Sequence, residues 1–250
     1  METKLFYLED FTRLTCEAGV VSVTQENGKD IVMLDATVFY PQGGGQPYDT
    51  GVIESAAGKF VVEEVRMVDN IVRHIGHFDG NSELGNRVSK WKPGFQVRCR
   101  VDAARRLLHS RIHSAGHLVD WAVAELKPAW TPDPRGYHYP NGPYVTYIGS
   151  LPGEDKEKLK NDIEEACDRR IAAGEEVSIR FMNQDGMKKI SRSVPDLPDG
   201  KPGRVIMFGN HFGVPCGGTH VRNLSEIHGL AIRKIKQEGM NIRIGYDVAP

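Results

Sequence analysis

The sequence predicts an α+β protein: a small N-terminal β-barrel domain over residues 1–100, then an α+β domain with an antiparallel sheet over residues 101–250. Three observations predict it. Short β-branched runs separated by turn residues occupy the first hundred positions, as in a small barrel or sandwich. A long helical pattern follows, from about Val101 to Leu126. After it, a charged helical stretch alternates with short apolar runs, the mixture of an α+β domain.

Val20-Val21-Ser22-Val23 and Ile31-Val32-Met33-Leu34 read as paired strands, with Asn27-Gly28 as a hairpin turn. Gly51-Val52-Ile53, Phe60-Val61-Val62 and Phe95-Gln96-Val97-Arg98 continue the pattern, punctuated by Gly58, Gly76, Gly80 and Pro93-Gly94. Asp102 is a plausible N-cap for the long helix, which ends before Pro128. Its apolar positions Leu108, Ile112, Ala115, Val119, Ala122 and Leu126 recur in steps of three and four, as on a helix burying one face. Trp130 to Ser150 reads as loop, except for a strand at Tyr144-Val145-Thr146-Tyr147-Ile148. Gly153-Glu154 opens a helix with a solvated charged face, closed by Gly174. Val177 to Phe181, Val205 to Phe208, Leu230 to Ile235 and Ile242 to Ile244 complete a sheet.

Composition excludes some classes of function. The 250 residues carry a formal net charge of −1, so no global basic field draws the chain to nucleic acid or a membrane. The start, Met1-Glu2-Thr3-Lys4, lacks the layout of a signal peptide, and no apolar run is long enough to span a bilayer. The four cysteines, Cys16, Cys99, Cys167 and Cys216, are scattered, with no disulfide framework. A reducing, cytoplasmic compartment is expected.

Two stretches carry chemistry. In Arg111-Ile-His113-Ser-Ala-Gly-His117, the two imidazoles stand one helical turn apart and can share a metal ion. Helical winding places them away from the apolar stripe, facing either solvent or a covering segment. Cys216-Gly217-Gly218-Thr219-His220 is a candidate cover, its glycines allowing Cys216 and His220 to converge. Nitrogen and sulfur ligands of this kind suit one Zn²⁺ per chain. His109, one turn earlier, could replace His117 as the partner of His113. Upstream, Gly43-Gly44-Gly45-Gln46 lies in a loop too costly in entropy to be idle. It is either a tight barrel corner or a place where a ligand or another backbone comes close.

These motifs resemble those of the alanyl-tRNA synthetase editing domain and, more closely, of its free-standing relatives, the AlaX proteins. The resemblance rests on His113-Ser-Ala-Gly-His117-Leu, on Cys216-Gly-Gly-Thr-His220-Val, and on Asp35-Ala-Thr37-Val-Phe-Tyr-Pro-Gln-Gly-Gly-Gly-Gln46-Pro. It implies a longer-type AlaX protein whose residues 101–250 form a zinc-binding deacylase domain. The expected reaction is hydrolysis, in trans, of the ester on alanine tRNA wrongly charged with serine or glycine. It implies metal ligands His113, His117, Cys216 and His220, discrimination by Thr37, and a pocket shaped by Gly43, Gly44, Gly45 and Gln46. Thr219, inside the second motif, is placed either to orient a ligand or substrate or to stabilise the turn with its hydroxyl. The family's pocket glutamine after the first zinc motif is absent, and His138 stands in that region as a candidate catalytic substitute. Ser114 occupies the place of the glutamate base in a His-Glu-x-x-His peptidase, against that alternative. Arg105-Arg106, Lys188-Lys189, Arg192, Arg222 and Arg233-Lys234 are candidate phosphate contacts.

Overall fold

A computed structural model describes residues 2–79, 91–151, 153, 155–197 and 201–249. The turn expected at Gly80 and the helix start expected at Glu154 lie outside these residues. The chain divides into two compact units, residues 1–43 with 47–106, and residues 44–46 with 107–250.

The first unit contains β1 (Lys4–Leu5), β2 (Thr15–Glu26), β3 (Lys29–Leu34), β4 (Ala36–Thr37), β5 (Gly51–Ser55), β6 (Gly58–Val68), β7 (Ile71–Phe78) and β8 (Gln96–Val101). Six of these close a barrel in the order β2-β3-β7-β6-β5-β8, and β1 pairs with β4 in parallel alongside. Strict alternation along β8, with Val97, Cys99 and Val101 buried and their neighbours exposed, shows why period two is needed to fill a barrel. Leu34, Ile53, Phe60 and Val65 line the same core. The turn at Asn27-Gly28 has positive φ at both residues (52° and 76°), which matches the twist of the hairpin it closes.

Gly76 departs from the expected turn: it sits inside β7, opposite a register shift in β6 between Val62 and Glu64. A Cβ at Gly76 would lie 1.9 Å from the Val61 carbonyl oxygen. Glycine is there to let the bulged strand come close.

The second unit takes most of α1 (Ala103–Leu126), then β9 (Thr131–Tyr137), β10 (Tyr144–Ile148), α2 (Lys156–Ala173), β11 (Val177–Met182), α3 (Gln184–Lys188), β12 (Gly203–Phe208), β13 (Phe212–Pro215), β14 (Ala231–Glu238) and β15 (Asn241–Asp247). The expected single sheet is two antiparallel sheets, β14-β15-β10-β9 and β11-β12-β13. β9 corrects the expected loop. Pro132 is compatible with a strand because β9 lies at a sheet edge. α2 starts at Asp155, whose carboxylate caps the amides of Glu157 and Lys158, and ends at Gly174 with φ 63°.

α1 also departs from the expected pattern. Instead of one buried face, every residue from His109 to Val119 is buried. Leu126, assigned to the core stripe, is 36% exposed. The polar residues of the middle turns are therefore enclosed, and each needs a partner. Among the described residues, no helix is long and apolar enough to cross a membrane.

Candidate metal centre

Four side chains converge beside the middle of α1. One ligand atom from each of His113, His117, Cys216 and His220 lies within 4.8 Å of the others. Cys216 Sγ stands 3.5 Å from Nε2 of both His113 and His220. Ligands around a tetrahedral zinc stand roughly 3.3–3.6 Å apart, given bonds of about 2.0 Å to nitrogen and 2.3 Å to sulfur. His109 is buried but is not among the convergent four.

Each imidazole is oriented by a different group on its far nitrogen. His113 Nδ1 meets Gln46 Oε1 at 2.8 Å, His117 Nδ1 meets Asp120 Oδ2 at 3.4 Å, and His220 Nδ1 meets Ser114 Oγ at 3.1 Å. With these nitrogens protonated as donors, Nε2 of His113 and of His220 faces Cys216 with its lone pair free. That is the support expected behind metal-bound histidines. Tyr147 donates to the other Asp120 oxygen at 2.5 Å, fixing that carboxylate.

The donor set fits a metal ion. Nε2 of His117 is buried with no hydrogen-bond partner, which would be costly without a ligand in front of it. Burial and the neighbouring imidazoles push His113 and His220 well down, so both are neutral. Burial works against ionising Cys216, but the neighbouring His117 outweighs it and lowers the thiol. Burial likewise opposes protonation of His117, whose pKa is nevertheless raised to about 9 by Asp120 and Cys216, so a metal ion there would displace its proton. Neutral imidazoles and a thiolate are the forms that bind metal.

The glycine-rich loop supplies support rather than a barrel corner. Gly44 and Gly45 have positive φ (53° and 75°), and a Cβ at Gly45 would meet the Gly136 oxygen at 2.1 Å. The Gly45 carbonyl accepts from the His138 amide at 2.8 Å. Both ends of the Gln46 amide are engaged: Oε1 accepts from His113 and from the Thr219 amide (3.0 Å), and Nε2 donates to Thr219 Oγ1 (2.8 Å). Ser110 donates to the same Thr219 hydroxyl at 2.8 Å. Gln46 and Thr219 therefore brace His113. Of the two glycines between Cys216 and Thr219, only Gly218 is dictated by space, because a Cβ there would meet His113 Cε1 at 2.3 Å.

His138 stacks on His113 with ring centroids 4.4 Å apart. Its Nδ1 contacts the Tyr246 hydroxyl at 2.7 Å, and that hydroxyl gives its hydrogen to the Ile112 carbonyl at 3.0 Å. Nδ1 must therefore be the donor, leaving Nε2 as an acceptor. Burial and the charge of His117 push His138 down to about 3, so it stays neutral. Gly44, His113, His117, Asp120, His138 and Cys216 line one cavity of about 530 Å³, a size suited to a small organic ligand.

The glycine of the first motif carries a prediction. Gly116→Ala in a helix ordinarily stabilises by about 1 kcal/mol. Here the new Cβ would lie 2.5 Å from His138 Cε1 and 2.7 Å from the Tyr246 hydroxyl. Overpacking of this kind costs about 1–3 kcal/mol, so the variant is expected to melt lower than the parent in thermal unfolding.

Thr37 and Gly43 belong to the first unit. Thr37 is fully buried. Its hydroxyl accepts from the Phe39 amide at 3.0 Å and lies 2.9 Å from His74 Nε2. His74 Nδ1 donates to the Val32 carbonyl, so Nε2 accepts from Thr37. Gly43 accepts from the Tyr40 hydroxyl at 2.9 Å. Arg106 is not a phosphate contact: it is 3% exposed and paired with Asp49. The sequence singles out none of Asp120, Tyr147 and Tyr246, and marks Ser114 only as standing where a peptidase has its glutamate. Asp120 had a signal, standing three residues after His117 on the same helix; Tyr246 had none.

Comparison with known proteins places this architecture. Residues 3–103 match the family model of class II (A) tRNA synthetases, and residues 204–244 match the threonyl and alanyl tRNA synthetase second additional domain. Barrel and metal centre thus define a relative of the alanyl-tRNA synthetase editing region. Over 251 residues the chain is 28% identical to an alanine–tRNA ligase of Methanobrevibacter smithii, covering 94% of this chain and about a quarter (26%) of that protein. It is 31% identical over 257 residues to alanyl-tRNA editing protein AlaX-M of Methanosarcina barkeri, covering 98% of both. AlaX-L of Pyrococcus horikoshii is 24% identical, covering 97% of this chain and 56% of that one. The chain belongs to the AlaX family of alanyl-tRNA editing proteins.

Proposed function

We propose that this chain is a zinc-dependent deacylase that acts in trans on alanine tRNA mischarged with serine or glycine. The observation that carries the proposal is the convergence of three imidazoles and a cysteine thiol, of which His113, His117 and Cys216 line one cavity, in a chain of the AlaX family. His113, His117, Cys216 and His220 would hold one Zn²⁺. When bound, zinc supplies Lewis acidity toward an ester carbonyl or water oxygen.

The remaining work falls to the protein. His138 Nε2, held as an acceptor by the Tyr246 relay, orients a water against the ester by taking a hydrogen bond from it. Gln46 and Thr219 keep His113 in register, and Gly44 forms part of the cavity wall. Thr37 is assigned to distinguishing serine from alanine on the family resemblance. An alanine-sized pocket cannot reject its small relatives by binding alone, which is why editing is needed.

The test is hydrolysis of seryl-, glycyl- and alanyl-tRNA, all on alanine tRNA, with zinc measured on the same sample. Loss of serine or glycine with alanine spared, at about one zinc per chain, is the expected result. No hydrolysis by zinc-loaded protein overturns the proposal. Thr37→Val should keep its zinc and narrow the serine-to-alanine rate ratio by roughly tenfold or more. It should also lose about 1–3 kcal/mol of stability, because His74 Nε2 is left buried without its donor.

A further inference from the structure

The outer face of the sheet β14-β15-β10-β9 carries a second cavity. Pairing sets its rows: Lys236, Arg243, Thr146 and Asp133 lie side by side, and Lys234, Gly245, Tyr144 and Tyr137 form the next outward row. Between them Ile235, Ile244 and Val145 point into the core. Tyr139, Tyr137 and Tyr144 stack in series, with centroids 4.5 and 5.3 Å apart and planes within 16°. The Arg243 guanidinium continues that series, 4.3 Å from the Tyr144 centroid.

Beside Arg243 opens a space of about 300 Å³ lined by Asp133, Tyr144, Thr146, Glu238, Asn241 and Arg243. The outer plane of the guanidinium offers stacking, while the carboxylates of Asp133 and Glu238 (the latter 3.6 Å from Arg243), an amide and a hydroxyl offer hydrogen bonds at the edge. This is the chemistry of a nucleobase site. The excess of acceptors favours a base with an exocyclic amino group. Lys234 and Lys236 flank it, and among the described residues neither makes an ion pair. The charge of Lys236 lowers the pKa of Lys234, as expected of uncompensated cations that a phosphate would neutralise. Asp133 lines both this space and the cavity of the metal centre, so the two adjoin.

We propose that this cavity is a subsite for one unpaired nucleotide of an RNA 3′ end, the one preceding the aminoacylated nucleotide. Arg243 stacks on its base, Asn241 and Asp133 read its amino group, and Lys234 and Lys236 hold the flanking phosphates. The placement of the aminoacylated neighbour rests on the deacylase reading; the capture of unpaired RNA does not.

The test is fluorescence anisotropy of the full zinc-loaded chain with three RNA hairpins: a four-nucleotide unpaired 3′ end with cytosine next to last, the same with uracil there, and a blunt end. The cytosine hairpin should bind at least tenfold tighter than the blunt one, and uracil should weaken it severalfold. Arg243→Glu and Asn241→Ala, both at exposed positions, should each weaken the cytosine hairpin about tenfold and leave blunt RNA unchanged. Arg243→Glu should also raise KM for aminoacyl-tRNA while leaving hydrolysis of a free aminoacyl-adenosine ester intact. Equal binding of overhang and blunt RNA, or equal weakening of both by Arg243→Glu, overturns the subsite. Selective overhang binding without any ester hydrolysis sustains the subsite and overturns the deacylase instead.

Discussion

Replacing Cys216 with alanine is expected to remove metal and hydrolysis together. Cys216 is the only sulfur in the convergent set and lies at hydrogen-bonding distance from two of its three imidazoles. Without the thiolate, three neutral nitrogens must hold a dication. Bound zinc should fall from about one per chain to below a tenth, and deacylation by at least a hundredfold. His117→Ala should behave alike. Gln46→Ala should be milder, weakening zinc by about 10–100-fold, because it removes the acceptor behind His113 and leaves all four ligands in place. Metal analysis on gel-filtered variants, with melting curves alongside, separates loss of metal from loss of fold. A Cys216→Ala chain that is metal-free, folded and fully active would sink the zinc mechanism.

The four convergent side chains were legible because their spacing is local. His113 and His117 are one turn apart, and Cys216 and His220 sit at either end of a short glycine turn. The barrel strands were legible for the same reason, since β-branched runs and Asn-Gly speak within a few residues. What stayed hidden depended on distant partners. Gln46 looked like part of a pocket floor, yet it engages His113 and Thr219 across 67 and 173 residues of chain. Gly76 read as a turn because the bulge it accommodates lies on another strand. β9 was hidden by Pro132, which an edge position permits. α1 looked half-exposed because its polar residues obscured a helix buried all round. Ser110, Ser114 and His113 are enclosed only because Thr219, His220 and Gln46 satisfy them.

Asp49 and Arg106 show the same effect in the first unit, and they carry the largest expected stability loss. Arg106 read as a phosphate-binding cation; its guanidinium instead lies over Asp49, with Nε 3.1 and 3.0 Å from the two carboxylate oxygens. It also donates to the carbonyls of Val38 (2.7 Å) and Phe11 (3.2 Å). Asp49 is fully buried and accepts the Tyr40 amide at 2.7 Å. The pair joins the chain before β2, the segment after β4 and the first turn of α1. Removing one partner leaves an enclosed charge facing only neutral groups, a loss of about 3–5 kcal/mol. Asp49→Ala should therefore lower unfolding free energy by that amount in a urea titration, whereas Lys158→Ala, at an exposed ion pair, should change it by less than about 1 kcal/mol. The double variant Asp49→Leu/Arg106→Met should recover much of the loss, because it removes both charges and fills the space with apolar atoms. If Asp49→Ala cost under about 1 kcal/mol, the carbonyls of Val38 and Phe11 would suffice for the guanidinium, and the carboxylate would not be what holds these three segments together.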